Sequence, residues 1–383
     1  MMKSFFALLI ASPLLALSAR GASENAAAFV TPAGFTVKRG VNLSHWLSQC
    51  FSPAPKSAIV SEKDIRFIAR IGYDFVRIPI DEEELWTKDG KPSPENFACL
   101  TNCLDWCAKY RLRAIVDLHI LRAHHFNAGN GEGKMTLWTD PAAQENFLRL
   151  WRDISARLKS YPVSQVAYEL LNEPVAPDPE DWNRLIARGV QAIRQLEPDR
   201  VIVIGPNRWQ IPSSCPVLKV PAGDPNLMLG FHTYSPLLFT HHLASWTSFK
   251  DFKGPVHYPG RVVAEADMPK SADTNQAGFG DLFGEASQVF NKQKLLEIVQ
   301  PAIEKSRELK LPVMCGEFGC LPTVERSERM QYYSDIISVF EENGIAWCNW
   351  EYKGDFGIRP LEDGKSKPAA PDKGFIDVLM RKR

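Results

Sequence analysis

The sequence predicts an α/β fold, a single (β/α)8 barrel with a long loop after the sixth strand. Three observations predict it. Short β-rich apolar runs alternate with amphipathic helical stretches eight times. The strand candidates are almost continuously apolar, as parallel strands covered on both faces should be. Polar side chains recur where these strands end. The 383-residue length also fits, because single barrels run from about 200 to over 400 residues.

The strands are predicted from apolar runs bounded by polar or turn residues. The eight candidates, in order, are Gly40–Leu43, Phe75–Ile78, Ala114–His119, Val166–Leu171, Val201–Ile204, Met228–His232, Val313–Glu317 and Ile345–Trp350. An open doubly wound sheet is the alternative arrangement of such strands. The segment after the first strand lacks the glycine-rich phosphate loop of that fold, which favours the barrel.

The helices are predicted from apolar residues recurring on one face, as with Ile65, Ile68 and Ile71. Ser61 and Asp64 have capping-box spacing, and Pro94 stands at a first helical position. The candidates are Ser61–Ile71, Glu95–Tyr110, Ala142–Lys159, Trp182–Leu196, Lys294–Leu309 and Ser327–Glu342. The helices after strands five and eight are weakly marked. The segment from Ser235 to Asn291 is long for a barrel loop.

The amino terminus reads as a secretory signal peptide over residues 1–22. Lys3 precedes an apolar run, Phe5–Leu17, and small residues follow. The run is short and interrupted by Pro13, so we expect no stable membrane insertion once it is cleaved. An uncleaved anchor is the alternative. The prediction is a secreted or periplasmic protein whose barrel domain covers residues 23–383.

Charge excludes one class of partner. The chain has 45 Lys and Arg against 45 Asp and Glu, whereas nucleic-acid binding needs a clustered basic surface. We therefore expect no nucleic-acid partner. The 10 Trp, 9 Tyr and 21 Phe residues could form core or could stack on a flat ligand.

Eight cysteines in an exported chain raise the question of disulfides. Cys99, Cys103 and Cys107 recur every fourth residue on one helix, where neighbours do not readily bridge. Period-two alternation places Cys315 and Cys348 inside the barrel, one layer below the strand ends. We expect mostly free buried thiols, with room for one bridge. No CxxC or HExxH spacing occurs, so no metal site is predicted.

Seven of the eight predicted strands end in a side chain able to hydrogen-bond, ionise or stack. These are Asn42, Arg77, His119, Asn172 with Glu173, His232 with Tyr234, Glu317 and Trp350. Strand five, ending near Pro206 and Asn207, is the weak member. Barrel active sites lie at the carboxyl ends of strands, so these side chains predict one site at one mouth.

Two carboxylates define the chemistry. Glu173 follows strand four and Glu317 ends strand seven, and these strands face each other across a barrel. Paired carboxylates with aromatic neighbours are what glycosidic bond cleavage needs. One must be protonated and the other ionised. A carboxylate beside Arg77 has its pKa lowered, so Arg77 marks Glu317 as the nucleophile if it reaches that residue.

The run Leu170-Leu171-Asn172-Glu173-Pro174 resembles the signature of glycoside hydrolase family 5, the cellulase family of retaining β-glycanases. The resemblance extends from about Gly34 to Leu379. It implies Glu173 as general acid/base and Glu317 as nucleophile. The supporting positions it implies are Asn172 for the sugar 2-hydroxyl, Arg77 and Tyr234 for the nucleophile, His119 and His232 for the subsite and the acid/base, and Trp350 as stacking floor. Asn42 and Trp46 resemble the family's strand-one segment.

The same resemblance implies a hydrolase of β-1,4-glucan, endoglucanase-like, acting on a polysaccharide or oligosaccharide by double displacement with no cofactor. We also expect a monomer. A β-mannanase, xyloglucanase or β-1,3-glucanase would use the same catalytic set. A transglycosylase and an inactive carbohydrate-binding barrel are alternatives of another class.

Several positions keep two interpretations. His124 and His125 either contact substrate or support it indirectly. Trp138 is either a sugar platform or a packing residue, and Trp246 is a further platform candidate. The aromatic-rich segment from Ser235 to Asn291 is either a cleft wall or a packed insertion.

Overall fold

The computed structural model describes residues 30–128, 131–268, 284–362 and 367–381. The predicted signal peptide lies outside these residues and stays a prediction. Among the described residues, no helix has the length and apolar character needed to cross a membrane.

Eight parallel strands close into a barrel, which confirms the predicted fold class. They are β1 (Arg39–Asn42), β2 (Phe75–Asp81), β3 (Arg113–Ile120), β4 (Val166–Glu169), β5 (Ile202–Ile204), β6 (Leu227–His232), β7 (Val313–Glu317) and β8 (Ala346–Asn349). Each strand pairs with its sequence neighbours, and β1 closes the sheet against β8. Every predicted strand overlaps an observed one. Strand β4 ends two residues early, before the segment that carries Asn172 and Glu173.

Helices surround the barrel where the apolar periodicity predicts them. The long ones are α1 (Glu62–Ile71), α2 (Pro94–Lys109), α3 (Pro141–Leu158), α4 (Pro179–Arg194), α5 (Lys292–Leu309) and α6 (Arg326–Glu342), and α7 (Lys373–Leu379) follows β8. Single helical turns lie at Lys56–Ile59, Glu82–Leu85 and Leu237–Thr240, and short 3-10 turns at Thr136–Trp138 and Glu265–Asp267. After β5 a 3-10 turn, Pro212–Val217, takes the place of a helix, in keeping with the weak helical pattern there.

The two predicted start signals, the capping box at Ser61 and the proline at position 94, are confirmed. The Ser61 backbone N–H donates to the Asp64 carboxylate at 3.0 Å, closing the capping box of α1. Pro94 is the first residue of α2, and Ser93 Oγ accepts the Asn96 N–H at 3.4 Å. These contacts satisfy backbone groups that a helix end leaves without partners.

Two apolar layers stabilise the barrel. The larger lies between strands and helices. The smaller fills the lower barrel interior with alternate strand residues: Phe75, Ile115, Ala167, Val203, Met228, Met314, Ala346 and Cys348, joined by Phe35 and Val201. Cys348 is thus inside, as predicted. Cys315 is a correction, because it belongs to the outer layer. A register shift after Phe231 pairs His232 with Glu317, so period-two counting from Glu317 gives the wrong face.

All eight cysteines are free, seven of them buried. The expectation of mostly free thiols is confirmed, and the one bridge it allowed does not form. Buried thiols act here as small apolar side chains.

The described part of the long loop after β6 is a packed insertion. Phe239, Phe249 and Tyr258 are buried, and the Tyr258 hydroxyl donates to Asp335 on α6 at 2.9 Å. A two-stranded ribbon joins residues 260–261 to 289–290. Residues 269–283, which include Phe279, lie outside the described residues.

Candidate active site

Arg77 is the centre of the charged layer above the apolar floor. Its guanidinium, fully buried on β2, contacts three carboxylates from three other strands. Nε lies 2.6 Å from Glu169, Nη1 2.8 Å from Glu317 and Nη2 3.0 Å from Asp117. Buried charges persist only when they are paired and hydrogen-bonded. Arg77 therefore holds the carboxyl end of the barrel together electrostatically.

The two predicted catalytic carboxylates meet at this mouth. One oxygen of Glu173, one of Glu317 and a ring nitrogen of His232 all lie within 4.8 Å of one another. His232 Nδ1 is 2.9 Å from the Glu173 carboxylate. The Tyr234 hydroxyl donates to Glu317 at 2.9 Å. Carboxyl groups about 5–5.5 Å apart are characteristic of retaining glycosidases, whereas inverting enzymes need about 6.5–9.5 Å.

The surroundings of the two carboxyls differ electrostatically. Burial and the negative charge of Glu317 raise the pKa of Glu173 well above its usual value. Burial raises the pKa of Glu317 too, but Arg77 and the Tyr234 hydrogen bond oppose that rise. The expected lowering of the Glu317 pKa is therefore wrong in net direction, because desolvation outweighs the guanidinium. Of the two carboxyls, Glu173 has the more strongly raised pKa, and Arg77 opposes that rise without a direct hydrogen bond among the described residues.

Two histidines stay neutral beside these groups. Burial lowers the pKa of His119 to about 3 and that of His232 well below its usual range. His232 therefore does not take the proton of Glu173. His119 Nδ1 lies 2.7 Å from Asp117, and its ring stacks on Trp350 at 5.8 Å with 10° between planes.

Two asparagines brace Arg77 from opposite sides. Asn42 accepts from Nη1 and Asn172 from Nη2, each at 2.9 Å. Asn42 Nδ2 donates to the Gly316 carbonyl at 3.0 Å. The buried Asn172 Nδ2 has no hydrogen-bond partner among the described residues. Such a donor is costly unless a ligand satisfies it.

Trp46 is a correction to the predicted site. Its side chain is 1% exposed and donates to the Lys56 carbonyl at 2.8 Å, so it cannot stack on substrate. Trp138 is also a packing residue, with its ring edge-on to His124 at 5.2 Å. His124 is buried and accepts the Val175 N–H at 3.3 Å, an indirect role next to Pro174.

Trp246 and His125 are the two remaining residues for which the sequence allowed both a substrate-contacting and a structural role. Trp246 is 43% exposed, in edge-on contact with His241, and so stays a platform candidate. His125 Nδ1 accepts the Asn127 N–H at 3.1 Å, which is a local structural role.

Sequence reasoning missed three residues of the network: Asp117, Glu169 and Gln210. Asp117 and Glu169 are acids inside apolar strands at positions that alternate with outward-facing residues, a signal that could have found them. Burial raises the pKa of Asp117 to about 7. Gln210 carried no signal, because it enters from the irregular segment after the weak strand five.

One grouping among the described residues could hold a metal ion, namely Glu173, His232 and Glu317. Each already has a hydrogen-bonding role in the charged layer. Metal-free chemistry stays a prediction.

Left-handed backbone accompanies the site. Glu173 has φ 44°, and Arg208, Trp209 and Gln210 have φ 60°, 57° and 54° in succession. This conformation costs a non-glycine residue about 1–2 kcal/mol. Its clustering at one mouth is typical of functional sites.

Known proteins resemble the whole barrel. A family model described as "Cellulase (glycosyl hydrolase family 5)" matches residues 31–355. Endoglucanase C of Acetivibrio thermocellus is 32% identical over 352 residues, covering 90% of this chain and 98% of that protein. Cellodextrinase A of Ruminococcus flavefaciens is 29% identical over 80% of this chain and 83% of its own length. Among solved structures, Thermotoga maritima Cel5A, described in complex with cellobiose, shares the fold with a TM-score of 0.69, at 23% identity over 90% of this chain and 97% of that one.

Proposed function

Because the chain belongs to the cellulase family, glycosyl hydrolase family 5, it is an O-glycoside hydrolase, and we propose that it cleaves internal bonds of β-1,4-linked glucan with retention. The observation that carries retention is the approach of the Glu173 and Glu317 oxygens to within 4.8 Å, near the spacing of a double displacement.

In the first step Glu317 attacks the anomeric carbon and forms a glycosyl ester. Arg77 and Tyr234 each donate to one of its oxygens, which keeps the carboxylate ionised and fixed in direction. The glycosidic bond breaks as Glu173 gives its proton to the leaving oxygen. The raised pKa of Glu173 keeps that proton on the carboxyl to a higher pH than an ordinary glutamate would.

In the second step Glu173 removes a proton from water, which attacks the anomeric carbon and releases Glu317. The ester carries no negative charge, so the largest charge contribution that raised the Glu173 pKa, that of Glu317, is gone. Its pKa falls, and the same residue becomes a base. The second displacement returns the anomeric carbon to its original configuration.

Substrate contacts are assigned by chemistry. We assign Asn172 Nδ2, a buried donor with no partner in the described part of the chain, to the sugar 2-hydroxyl. Trp350, 8% exposed and backed by His119, is the stacking floor for the sugar before the scissile bond. Aromatic faces suit the apolar C–H face of a sugar ring.

The likeness to an endoglucanase and a cellodextrinase supports unbranched β-1,4-glucan as the substrate class. The amino-terminal pattern of Lys3, apolar residues and small residues supports export. We also propose that the mature enzyme is a monomer.

A polysaccharide panel tests this function. We expect carboxymethyl cellulose to lose viscosity faster than reducing ends appear, with mannan, xyloglucan and β-1,3-glucan turned over far more slowly. Proton NMR of the first product should show the β-anomer. A preference for another glycan would overturn the substrate, and an initial α-anomer would overturn retention. Added acceptor sugars distinguish transfer from hydrolysis.

A further inference from the structure

Gln210 connects the two halves of the catalytic pair. Its side chain is fully buried, in the segment after β5. Oε1 accepts the backbone N–H of Glu173 at 3.1 Å, and Nε2 donates to Glu169 at 3.2 Å. A primary amide can accept and donate at once in this way, which a carboxylate or an apolar side chain cannot.

The Glu169 contact leads to Glu317. Both oxygens of Glu169 accept hydrogen bonds from Arg77, at 2.6 Å from Nε and 3.1 Å from Nη2. A bidentate pair of this kind fixes the plane of a guanidinium. The plane in turn sets where Nη1 meets Glu317, at 2.8 Å.

The backbone of Gln210 leads to His232. Its carbonyl accepts the His232 N–H at 2.9 Å, and His232 Nδ1 lies 2.9 Å from the Glu173 carboxylate. Gln210 therefore contacts Glu173 in two ways. Its side chain accepts the Glu173 backbone N–H, and its carbonyl holds His232, whose ring lies beside the Glu173 carboxylate.

One glycine leaves room for this amide. A Cβ on Gly205 would lie 1.9 Å from Gln210 Nε2. Real side chains cannot approach to 1.9 Å, so Gly205 is needed for Gln210 to adopt this place.

We propose that Gln210 is a positioning residue for the general acid/base: its amide holds Glu173 in the left-handed conformation that points the carboxyl toward the leaving oxygen. The inference rests on the proposed role of Glu173 as acid. Misplacing a reacting group by about 1 Å can cost about 100-fold in rate.

Leaving-group dependence separates positioning from general structural support. Phenyl β-cellobioside needs a proton on its departing oxygen, whereas 2,4-dinitrophenyl β-cellobioside departs without one. Since kcat/KM ends at the first irreversible step, it reports bond cleavage for both substrates. We expect Gln210→Leu to lose about 100-fold in kcat/KM on the phenyl substrate and under about 5-fold on the dinitrophenyl substrate.

Two further variants keep the test decisive if Gln210→Leu does not fold. Gln210→Glu keeps the acceptor for the Glu173 N–H but places a carboxyl against Glu169, which disfavours this position of the side chain. It should shift the ratio in the same direction by a smaller factor. Gly205→Ala displaces the amide without changing it and should resemble Gln210→Leu. Asn207→Ala is the matched control, because this buried side chain lies in the same segment as Gln210 and, among the described residues, its hydrogen bonds go to the Ala176 backbone. It should leave the ratio of the two substrates unchanged.

Equal losses on both substrates in the folded Gln210 variants would overturn the inference. Glu173→Ala distinguishes that result from failure of the proposed function. If Glu173→Ala loses activity selectively on the phenyl substrate, the acid is correctly assigned and only the role of Gln210 fails. If it loses both equally, the assignment of Glu173 fails as well.

Discussion

The lower and upper halves of the barrel interior are built by the same strands, two residues apart, yet they have opposite chemistry. Phe75 lies one layer below Arg77, Ile115 below Asp117 and Ala167 below Glu169. The lower half is apolar and closely packed. The upper half holds four carboxyls, of which Asp117, Glu169 and Glu317 pair with the Arg77 guanidinium.

The difference separates stability from catalysis within one barrel. Apolar burial stabilises the fold at about 25 cal/mol per Å², whereas burying charges costs desolvation that pairing only partly offsets. The left-handed backbone at Glu173 and Gln210 lies in the upper half as well. The apolar lower half and the apolar layer between strands and helices therefore supply the stability that offsets the cost of burying charges in the upper half.

The largest effect should come from Glu317→Gln. Without a nucleophile no glycosyl ester forms, and we expect turnover to fall by about 10⁴-fold or more. Stability should change little, since Arg77 keeps Asp117 and Glu169 as partners. Steady-state kinetics and thermal unfolding measure the two effects. Substantial residual activity would remove Glu317 from its role.

Glu173→Ala should come next. General acid catalysis contributes about 10²–10⁴-fold, so we expect a loss of that size on natural glucan. Azide should restore turnover on activated substrates by attacking the ester in place of water. Chromatography of a glycosyl azide product checks this, and its absence in a folded variant would contradict the assignment.

A pair of variants compares the two layers directly. Phe75→Ala should lower the free energy of unfolding by about 3–5 kcal/mol through a cavity, with kcat/KM of the folded enzyme nearly kept. Arg77→Met should lower the free energy of unfolding by a comparable amount, about 3–5 kcal/mol, because it leaves buried carboxylates unpaired. It should also abolish activity. Denaturant unfolding with parallel kinetics tests both. If Phe75→Ala reduced activity as strongly as Arg77→Met, the two layers would not be functionally separate.

The titration of Glu173 should respond to its partner. Glu317→Gln removes the negative charge that helps raise the Glu173 pKa, so that pKa should fall. Carbon NMR of labelled glutamate carboxyls across pH measures it. In the wild type, kcat/KM should stay constant at pH values below the raised pKa of Glu173, where that residue is protonated. It should decline as the pH rises through that pKa. An unchanged or higher pKa in the variant would contradict the coupling.

The smallest effect should come from Trp46→Phe. It removes the hydrogen bond to the Lys56 carbonyl, worth about 1 kcal/mol of stability. KM should stay the same, because the indole is buried away from substrate. A higher KM on cello-oligosaccharides would restore Trp46 to the binding site. Trp350→Ala is the contrasting variant and should raise KM.

The sequence by itself determined the barrel and most of its mouth. Alternating apolar strands and amphipathic helices leave few other ways to bury both faces of a parallel sheet. The strand positions of Arg77 and Glu317 then place both side chains at one mouth, and the end of β4 brings the segment of Glu173 to the same side.

Only the tertiary structure decided which groups touch. A register shift beside His232 moved Cys315 to the outer face, and burial, which depends on the whole fold, reversed the expected net shift of the Glu317 pKa. Trp46 is a core residue whose indole donates to the Lys56 carbonyl. Gln210 contacts Glu173 because its backbone is left-handed and because Gly205 has no side chain to occupy the space of its amide. Periodicity in a sequence reports which face a residue occupies in regular structure, whereas these contacts arise where the regular structure ends.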